Sequence, residues 1–579
     1  MAIHTRPRGH LAAATLFLYA LASPVTSTTT DGDWQTLSNQ VSGRLHQVDP
    51  LARPCYSTLN GQAVPVDNAQ CSTIQQNYVN GSFRTDHYSG FFHLYGDGCI
   101  SNITDQCFLN TQSPQAPLPA GAQCNQGLVS PHYLEVGTAQ DVQAAFAFAR
   151  KTGNRLSIKS SGHDYMSRSS LQGSLALWTR NLKQMTFHKT FQPATLGSKP
   201  VMAITFGVGV NSNEAQAFAN VNNVTLVSPS SPTVAIVGGF SLFGGHSVLS
   251  PTFGLGVDRI LEIEIVTPDG QHRICNAKDN SDLFWALRGA GGGSFGVILN
   301  VTVKVEPAIP ITFALLSFTP TPQNTPPFLS LLINNTKTWS ADGWGGPMGS
   351  SSLSLINTRL DEAASAKSLS AVADYVKSIN GTVSFTRFAT FYEFYSKFIA
   401  VTPGDSGTGP LLSFRVLPKR LHETTDGQAK LKDFLLTQIS KGNTPTLFMT
   451  PPAQFNYTKD STSMHPAWRN SYWDVGFNTR YAWNDTVDTR KQIAKKTQQI
   501  ELDLQALAPD GAAYPNESNP WVKNWQTQYW GSNYQKLAQI KAKYDPYKLL
   551  DCWKCVGFQD VSIHSESAYE CMGAFDSLA

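Results

Sequence analysis

From about Gly127 onward the chain switches between a period of two and a period near 3.6. Residues 133–136 and 155–159 read as strands. Between them Val142, Ala145, Phe146 and Ala149 recur at helical spacing behind Thr138, a good N-cap. This strand–helix–strand opening predicts an α+β or α/β domain. Strands continue at 174–178, 201–206, 260–266, 272–275 and 296–305, with helices over 211–222 and 281–288. Pro307 and Pro310 close that run. From about 311 to 507 apparent strands such as 313–318 alternate with helical runs at 363–379 and 489–507. This predicts a second domain whose helices cover a sheet. Residues 24 to about 117 have no period and are rich in Pro, Gly, Ser and Asn, as expected for a wrap over the larger body.

Composition narrows the class. The chain has 579 residues, of which 15% are charged, and its 44 Lys and Arg nearly balance 41 Asp and Glu. That balance excludes a polybasic nucleic-acid binder. Arg6 and Arg8 precede an apolar run over 11–22 that ends in small residues, the pattern of a Sec signal peptide (1–22). No later stretch is long and apolar enough for a membrane span, so a secreted, extracellular protein without a membrane partner is expected. Sequons at Asn80, Asn102, Asn223, Asn300, Asn334, Asn380, Asn456, Asn484 and Asn516 point to a glycoprotein. The 9 cysteines leave at least one unpaired, and Cys275 stands alone. The Cys552-Trp-Lys-Cys555 segment reads as a redox motif, half a zinc site, or part of a structural disulfide to Cys571. The last is favoured, because no second CxxC or thioredoxin-like context accompanies it.

Candidate chemistry sits in three glycine loops. Lys159-Ser-Ser-Gly-His-Asp-Tyr165 follows a strand, and its small residues let backbone N–H groups converge on phosphate oxygens. Gly238-Gly-Phe-Ser-Leu-Phe-Gly-Gly-His246 carries two glycine pairs, suited to backbone lying along a flat ligand. Arg288-Gly-Ala-Gly-Gly-Gly-Ser-Phe-Gly296 follows a helix, so it is not a Rossmann fingerprint, and it lacks a P-loop lysine. Three such loops favour a flavin dinucleotide over a small phosphate ester. No strand-to-helix nucleophile elbow, H-E-x-x-H or metal-ligand histidine spacing occurs, and no metal is expected.

These loops, with Phe253-Gly-Leu-Gly-Val-Asp258, the stretch 282–298, Tyr529-Trp-Gly-Ser-Asn533 and Lys541-Ala-Lys-Tyr-Asp-Pro546, resemble the FAD-linked oxidases of the vanillyl-alcohol oxidase superfamily. The resemblance is to the berberine-bridge-enzyme-like branch and its secreted fungal members. It implies an α+β fold: a two-part FAD-binding domain of the PCMH type, 118–306 plus 512–579, with an inserted α+β substrate domain at 307–511. The disulfide-pinned extension would be 23–117.

By the same resemblance His163 carries a covalent flavin. Lys159, Ser160, Ser161, Gly162, Asp164, Ser231, Gly238, Gly239, Gly244, Gly245, Gly292, Gly296, Val297, Tyr529 and Asn533 would bind the cofactor. Bicovalent relatives have Cys in G-x-C-P-T-V, whereas this chain has Ser231, so a single link is implied, with a lower flavin potential and a less open site. Tyr514-Pro-Asn516-Glu517 resembles Y-x-N-Y, with Glu517 in place of a tyrosine. Glu517 is either the base that takes a substrate proton or a solvated loop carboxylate; Tyr514, Asn516 and Tyr472 are the other catalytic candidates. The sequon at Asn516 is expected to stay unglycosylated. The implied activity is oxidation of alcohol groups (aliphatic, aromatic, carbohydrate or secondary-metabolite precursor) with oxygen as acceptor and peroxide as product, by a monomer. The rival readings are a dehydrogenase using a quinone or protein acceptor, and a non-catalytic glycoprotein of the same fold.

Overall fold

The computed structural model describes residues 29–195, 197–402, 404–559 and 569–578, so the expected signal peptide lies outside the described residues. Thr138 caps α2 (Ala139–Thr152) with a reciprocal bond to Asp141, and Gly153 ends it in the left-handed conformation. Its apolar stripe packs between β2 (His132–Glu135), β3 (Leu156–Lys159) and β4 (Leu175–Trp178). β2 and β3 both run parallel to β4, which lies between them.

The N-terminal extension is more than a wrap. After helix α1 (Asp31–Gln40), β1 (Leu45–Gln47) adds to this sheet, antiparallel to β2. Trp34 stacks on His132 and packs against Phe148 of α2.

A second sheet contains β5 (Met185–Phe191), β6 (Val201–Gly207), β7 (Ile260–Val266), β8 (His272–Cys275) and β9 (Val297–Lys304), in the order β8-β7-β9-β6-β5. β5, which alternates weakly, is the strand the sequence pattern missed. Helix α3 (Ser212–Val221) is capped by Asn211, and α4 (Ser281–Leu287) leads into the third glycine loop.

The eight-stranded sheet beyond carries β10 (Ile311–Ser317), β11 (Trp344–Met348), β12 (Ser352–Asn357), β13 (Thr382–Phe388), β14 (Gly409–Pro418), β15 (Pro445–Met449), β16 (Ser471–Tyr481) and β17 (Ala512–Ala513), ordered β13-β10-β12-β11-β15-β16-β14-β17. Helices α5 (Thr325–Asp342), α6 (Glu362–Ser368), α7 (Ser370–Ser378), α8 (Thr425–Ser440) and α9 (Val487–Leu507) accompany it, and four of them contribute to its main core. The run expected as one helix over 363–379 is thus two, broken at Leu369. Trp339, Trp344, Trp468 and Trp473 are buried packing residues.

Four disulfides link Cys55 to Cys71, Cys107 to Cys124, Cys99 to Cys571 and Cys552 to Cys555, and Cys275 is buried and free. The expected bridge from the CWKC segment to Cys571 is therefore wrong. The chain end returns to the extension, where Trp521 Nε1 donates to the Met572 carbonyl and Cys571 sits against Cys99 and Leu128. No helix among the described residues is long and apolar enough to cross a membrane.

The extension is bound to the first sheet by one buried charge. Lys159, fully buried at the end of β3, donates from Nζ to the carbonyls of His87 (2.9 Å), Tyr88 (2.6 Å) and Gly90 (2.6 Å). Its ammonium also lies 4.3 Å from the Phe91 ring centroid. This corrects the expectation that Lys159 binds the cofactor, because its donors are committed to the extension. Replacing Lys159 by Met strands three buried carbonyls and should lower unfolding free energy by about 3 kcal/mol or more. Denaturant unfolding measures this, and limited proteolysis should cut first near 87–92. An unchanged midpoint would mean that the carbonyls find other donors.

Candidate active site

The three glycine loops, the Pro229–Val234 segment and the turn after β17 meet around one cavity of about 410 Å³. Its lining includes Ser160, Ser161, Gly162, His163, Asp164, Ser231, Gly238, Gly239, Gly292, Gly296, Tyr514, Asn516 and Glu517, so the structure brings most of the predicted residues together. Several act through the backbone or through one another. Ser160 Oγ donates to the Val208 carbonyl, and Asp164 accepts from the Met166 and Ser169 amides and from the Arg168 guanidinium. Gly239 and Gly292 face open space: an added Cβ would meet no protein atom closer than 3.9 Å. Bare backbone fronting a cavity is what an extended dinucleotide requires.

His163 stands in this lining with its ring stacked on Phe92 of the extension, centroids 3.6 Å apart. Nε2 lies 2.6 Å from Thr233 Oγ1, leaving Nδ1 as the ring nitrogen without a hydrogen bond among the described residues. Burial pushes the imidazole pKa down to about 3, so the ring is neutral at ordinary pH. Ser231, two residues before Thr233, offers a hydroxyl to the cavity and no thiol.

Other predicted residues lie elsewhere. Gly244 and Gly245 do not line the cavity; a Cβ on Gly244 would strike Met464 at 2.6 Å, and the glycine pair sets the position of His246. Val297 is buried in β9 against Val266. Tyr529 is core, and Asn533 donates to the Met464 carbonyl at 2.8 Å. These positions and Lys159 are structural supports, contrary to the expected cofactor contacts.

Tyr472 is also misassigned. It is the extra residue of a β-bulge opposite Leu417 and Pro418, so it shares the helix-covered face with Trp473. Its hydroxyl donates to Glu423 at 2.9 Å.

The sequence reading missed an acid–base cluster. Ala512–Ala513 pairs with β14, and the chain then turns through Pro515, with the Glu517 amide donating to the Tyr514 carbonyl. That turn sets Glu517 Oε1 3.3 Å from His246 Nε2, while His246 Nδ1 lies 2.9 Å from Thr450 Oγ1. Asp474, paired in register with Phe448 and Val416, completes the group from β16; one donor atom of each residue lies within 4.8 Å of the others.

Asp474 is fully buried, and neither carboxylate oxygen has a hydrogen-bond partner among the described residues. Burial pushes its pKa up to about 7; His246 opposes the rise and Glu517 adds to it. Burial disfavours charge on His246, but the Glu517 and Asp474 carboxylates outweigh it and hold the imidazole above its usual value. Burial, reinforced by Glu517, raises the Tyr514 phenol. The overlooked signal was the acid in the apolar strand Tyr472-Trp-Asp-Val475.

Asn516 Nδ2 donates to the Gly239 carbonyl (3.1 Å) and to the Tyr514 hydroxyl (2.9 Å). Asn300 Nδ2 is likewise engaged, by Glu264, whereas the other sequon asparagines are exposed.

Comparison with known proteins agrees with this geometry. Residues 131–276 match the family model described as FAD binding domain, and 513–551 match the one described as Berberine and berberine like. The FAD-linked oxidoreductase cheF of Chaetomium globosum is 59% identical, over 95% of this chain and 89% of that protein. The crystal structure of the VAO-type flavoprotein MtVAO615 from Myceliophthora thermophila superposes with a TM-score of 0.79 at 26% identity, covering 94% and 97% of the two chains. Glucooligosaccharide oxidase of Acremonium strictum, with 6-S-cysteinyl, 8α-N1-histidyl FAD, shares the fold at TM-score 0.62 and 19% identity, over 73% and 91%.

Two glycine substitutions separate folding from ligand binding. Gly162 has φ +78°, and its Cβ would lie 2.8 Å from Lys159 Cε, so Gly162→Ala should destabilise the protein by about 1–3 kcal/mol. Gly292→Val should leave unfolding near the parental midpoint yet weaken flavin binding, on the order of tenfold for each 1.4 kcal/mol of binding free energy removed. The flavin-to-protein absorbance ratio and the unfolding midpoint, measured together, check both.

Proposed function

This chain belongs to the berberine-bridge-enzyme-like FAD-linked oxidoreductases of the vanillyl-alcohol-oxidase type, and we propose on that premise that it is a secreted oxidase of apolar alcohols with one covalent flavin bond, at His163. The observation that carries the reading is one cavity lined both by a neutral imidazole, His163, and by the Glu517 carboxylate with its His246 partner. When bound, FAD supplies the acceptor for a hydride from the alcohol carbon and hands the electron pair to oxygen, which leaves as peroxide.

His163 suits attachment through Nδ1, because Thr233 occupies Nε2 and burial keeps the ring uncharged. Ser231 lacks the sulfur needed for a second link. Glu517 accepts the substrate hydroxyl proton as the hydride leaves, and His246 orients its carboxylate. Val248, Pro347, Phe448 and Tyr514 also line the cavity. That apolar wall favours a hydrophobic alcohol over a hydroxyl-rich sugar. Four disulfides and exposed sequons at Asn80, Asn102, Asn223, Asn334, Asn380, Asn456 and Asn484 support an oxidising, extracellular setting.

Peptide mapping of the holoenzyme should find one flavinylated fragment, containing His163, and His163→Ala should release all flavin on denaturation. Reconstitution of the apoprotein should form the bond at similar rates from pH 5 to pH 8, since an imidazole with a pKa near 3 stays unprotonated throughout. A steep fall in rate toward pH 5 would mean that His163 titrates normally.

Glu517→Gln preserves volume but removes the proton acceptor. It should slow anaerobic flavin reduction by a screened hydrophobic alcohol roughly 10²- to 10⁴-fold, with the flavin spectrum little changed. Near-parental reduction would move the base to another group. Reoxidation of the reduced enzyme in air, compared with a quinone, tests the choice of acceptor.

A further inference from the structure

His246, Asp474 and Glu517 reach one point from three unconnected places: the loop after Gly245, the middle of β16 and the turn after β17. The cluster sets two carboxylates against one imidazole. Among the described residues its only ion pair is between His246 and Glu517, and no lysine or arginine joins it. Asp474 is fully buried with both oxygens unpartnered, and Glu517 Oε2 is buried without a partner as well. A buried carboxylate in this condition takes up either a proton or a cation, since leaving its charge uncompensated costs several kcal/mol.

We propose that this cluster is a binding site for a divalent transition-metal ion of the zinc type, held by His246 Nε2, one Asp474 oxygen and one Glu517 oxygen. The ion takes the place of the proton between His246 Nε2 and Glu517 Oε1, now 3.3 Å apart, and supplies the charge that Asp474 lacks. One imidazole and two carboxylates suit zinc and its first-row neighbours, whereas calcium takes six to eight oxygens. Three protein ligands leave a fourth position, which the cavity keeps open.

The second shell is already built. Thr450 Oγ1 at 2.9 Å from Nδ1 holds the ring so that Nε2 faces the carboxylates, the arrangement that fixes metal-bound histidines. Ligand atoms on one tetrahedral ion with bonds of about 2.0–2.2 Å lie roughly 3.3–3.6 Å apart. The observed separations of up to 4.8 Å close by rotation about the soft terminal torsions of the two carboxylates. Binding releases protons and occupies Glu517, so the ion inhibits turnover; only this consequence rests on the role proposed for Glu517.

The test is calorimetric titration of chelator-treated holoenzyme with Zn²⁺ alone. The expected result is one equivalent bound per chain, with affinity at least tenfold weaker in Asp474→Asn and in Glu517→Gln, and with substrate-competitive loss of parental activity. Glu517→Gln, at a side chain that reaches the cavity, guards against misfolding of the buried variant, and unfolding midpoints report on both. No stoichiometric binding, or binding unchanged in the two variants, overturns the site. Zinc binding that vanishes in the variants without inhibiting the parent keeps the site and overturns the role of Glu517 as base.

Discussion

Burial of the Lys159 ammonium is the constraint on which the rest of the site depends. A charge removed from water at the end of β3 is tolerable only if every N–H finds an acceptor, and the acceptors are carbonyls 69 to 72 residues upstream. The loop after β3 therefore keeps its shape only with the extension packed against the sheet. In that shape the Phe92 amide donates to the Gly162 carbonyl and the Phe92 ring stacks on His163. The residues that hold the key imidazole thus lie largely in a segment with no pattern of its own.

The same segment ties the two halves of the molecule together. His93 bridges to Thr408, the Gly407 amide donates to the Phe92 carbonyl, and Arg490 of α9 donates to the Cys99 carbonyl. Cys99 is bonded to Cys571 near the chain end, across 472 residues of sequence. On the other side, Asp258 and Arg469 form a buried two-pronged pair, and Lys541 reaches the Ser294 carbonyl in the third glycine loop. The Asp258 and Lys541 motifs therefore serve by clamping the cavity walls, one step removed from any ligand.

The acid–base cluster follows from sheet geometry in the same way. A bulge opposite Leu417 and Pro418 turns Tyr472 toward the helices, and the strand beyond it presents Asp474 beside His246 and Glu517. One residue of register decides which side chain meets His246 and Glu517. A fully buried aspartate beside a histidine and a glutamate then gives the site a need for positive charge that protons or a metal ion can meet.

Local patterning by itself determined the β2–α2–β3 unit, the capped helices, the long strand β9 and the existence of a second helix-covered sheet. It did so because periodicity and capping act within a few residues. The glycine loops and His163 were legible for a related reason: backbone that approaches a flat ligand requires runs of small residues wherever the loop lies. Their identity as a flavin site rested on motif resemblance. Only the tertiary structure decided that Lys159 is spent on carbonyls, that Tyr472 faces away, that Cys571 pairs with Cys99, and that Asp474 and His246 join Glu517. Each of these depends on packing between residues tens to hundreds of positions apart, or on a one-residue bulge. Burial and register, which set them, are properties of the packed sheets and have no local signature.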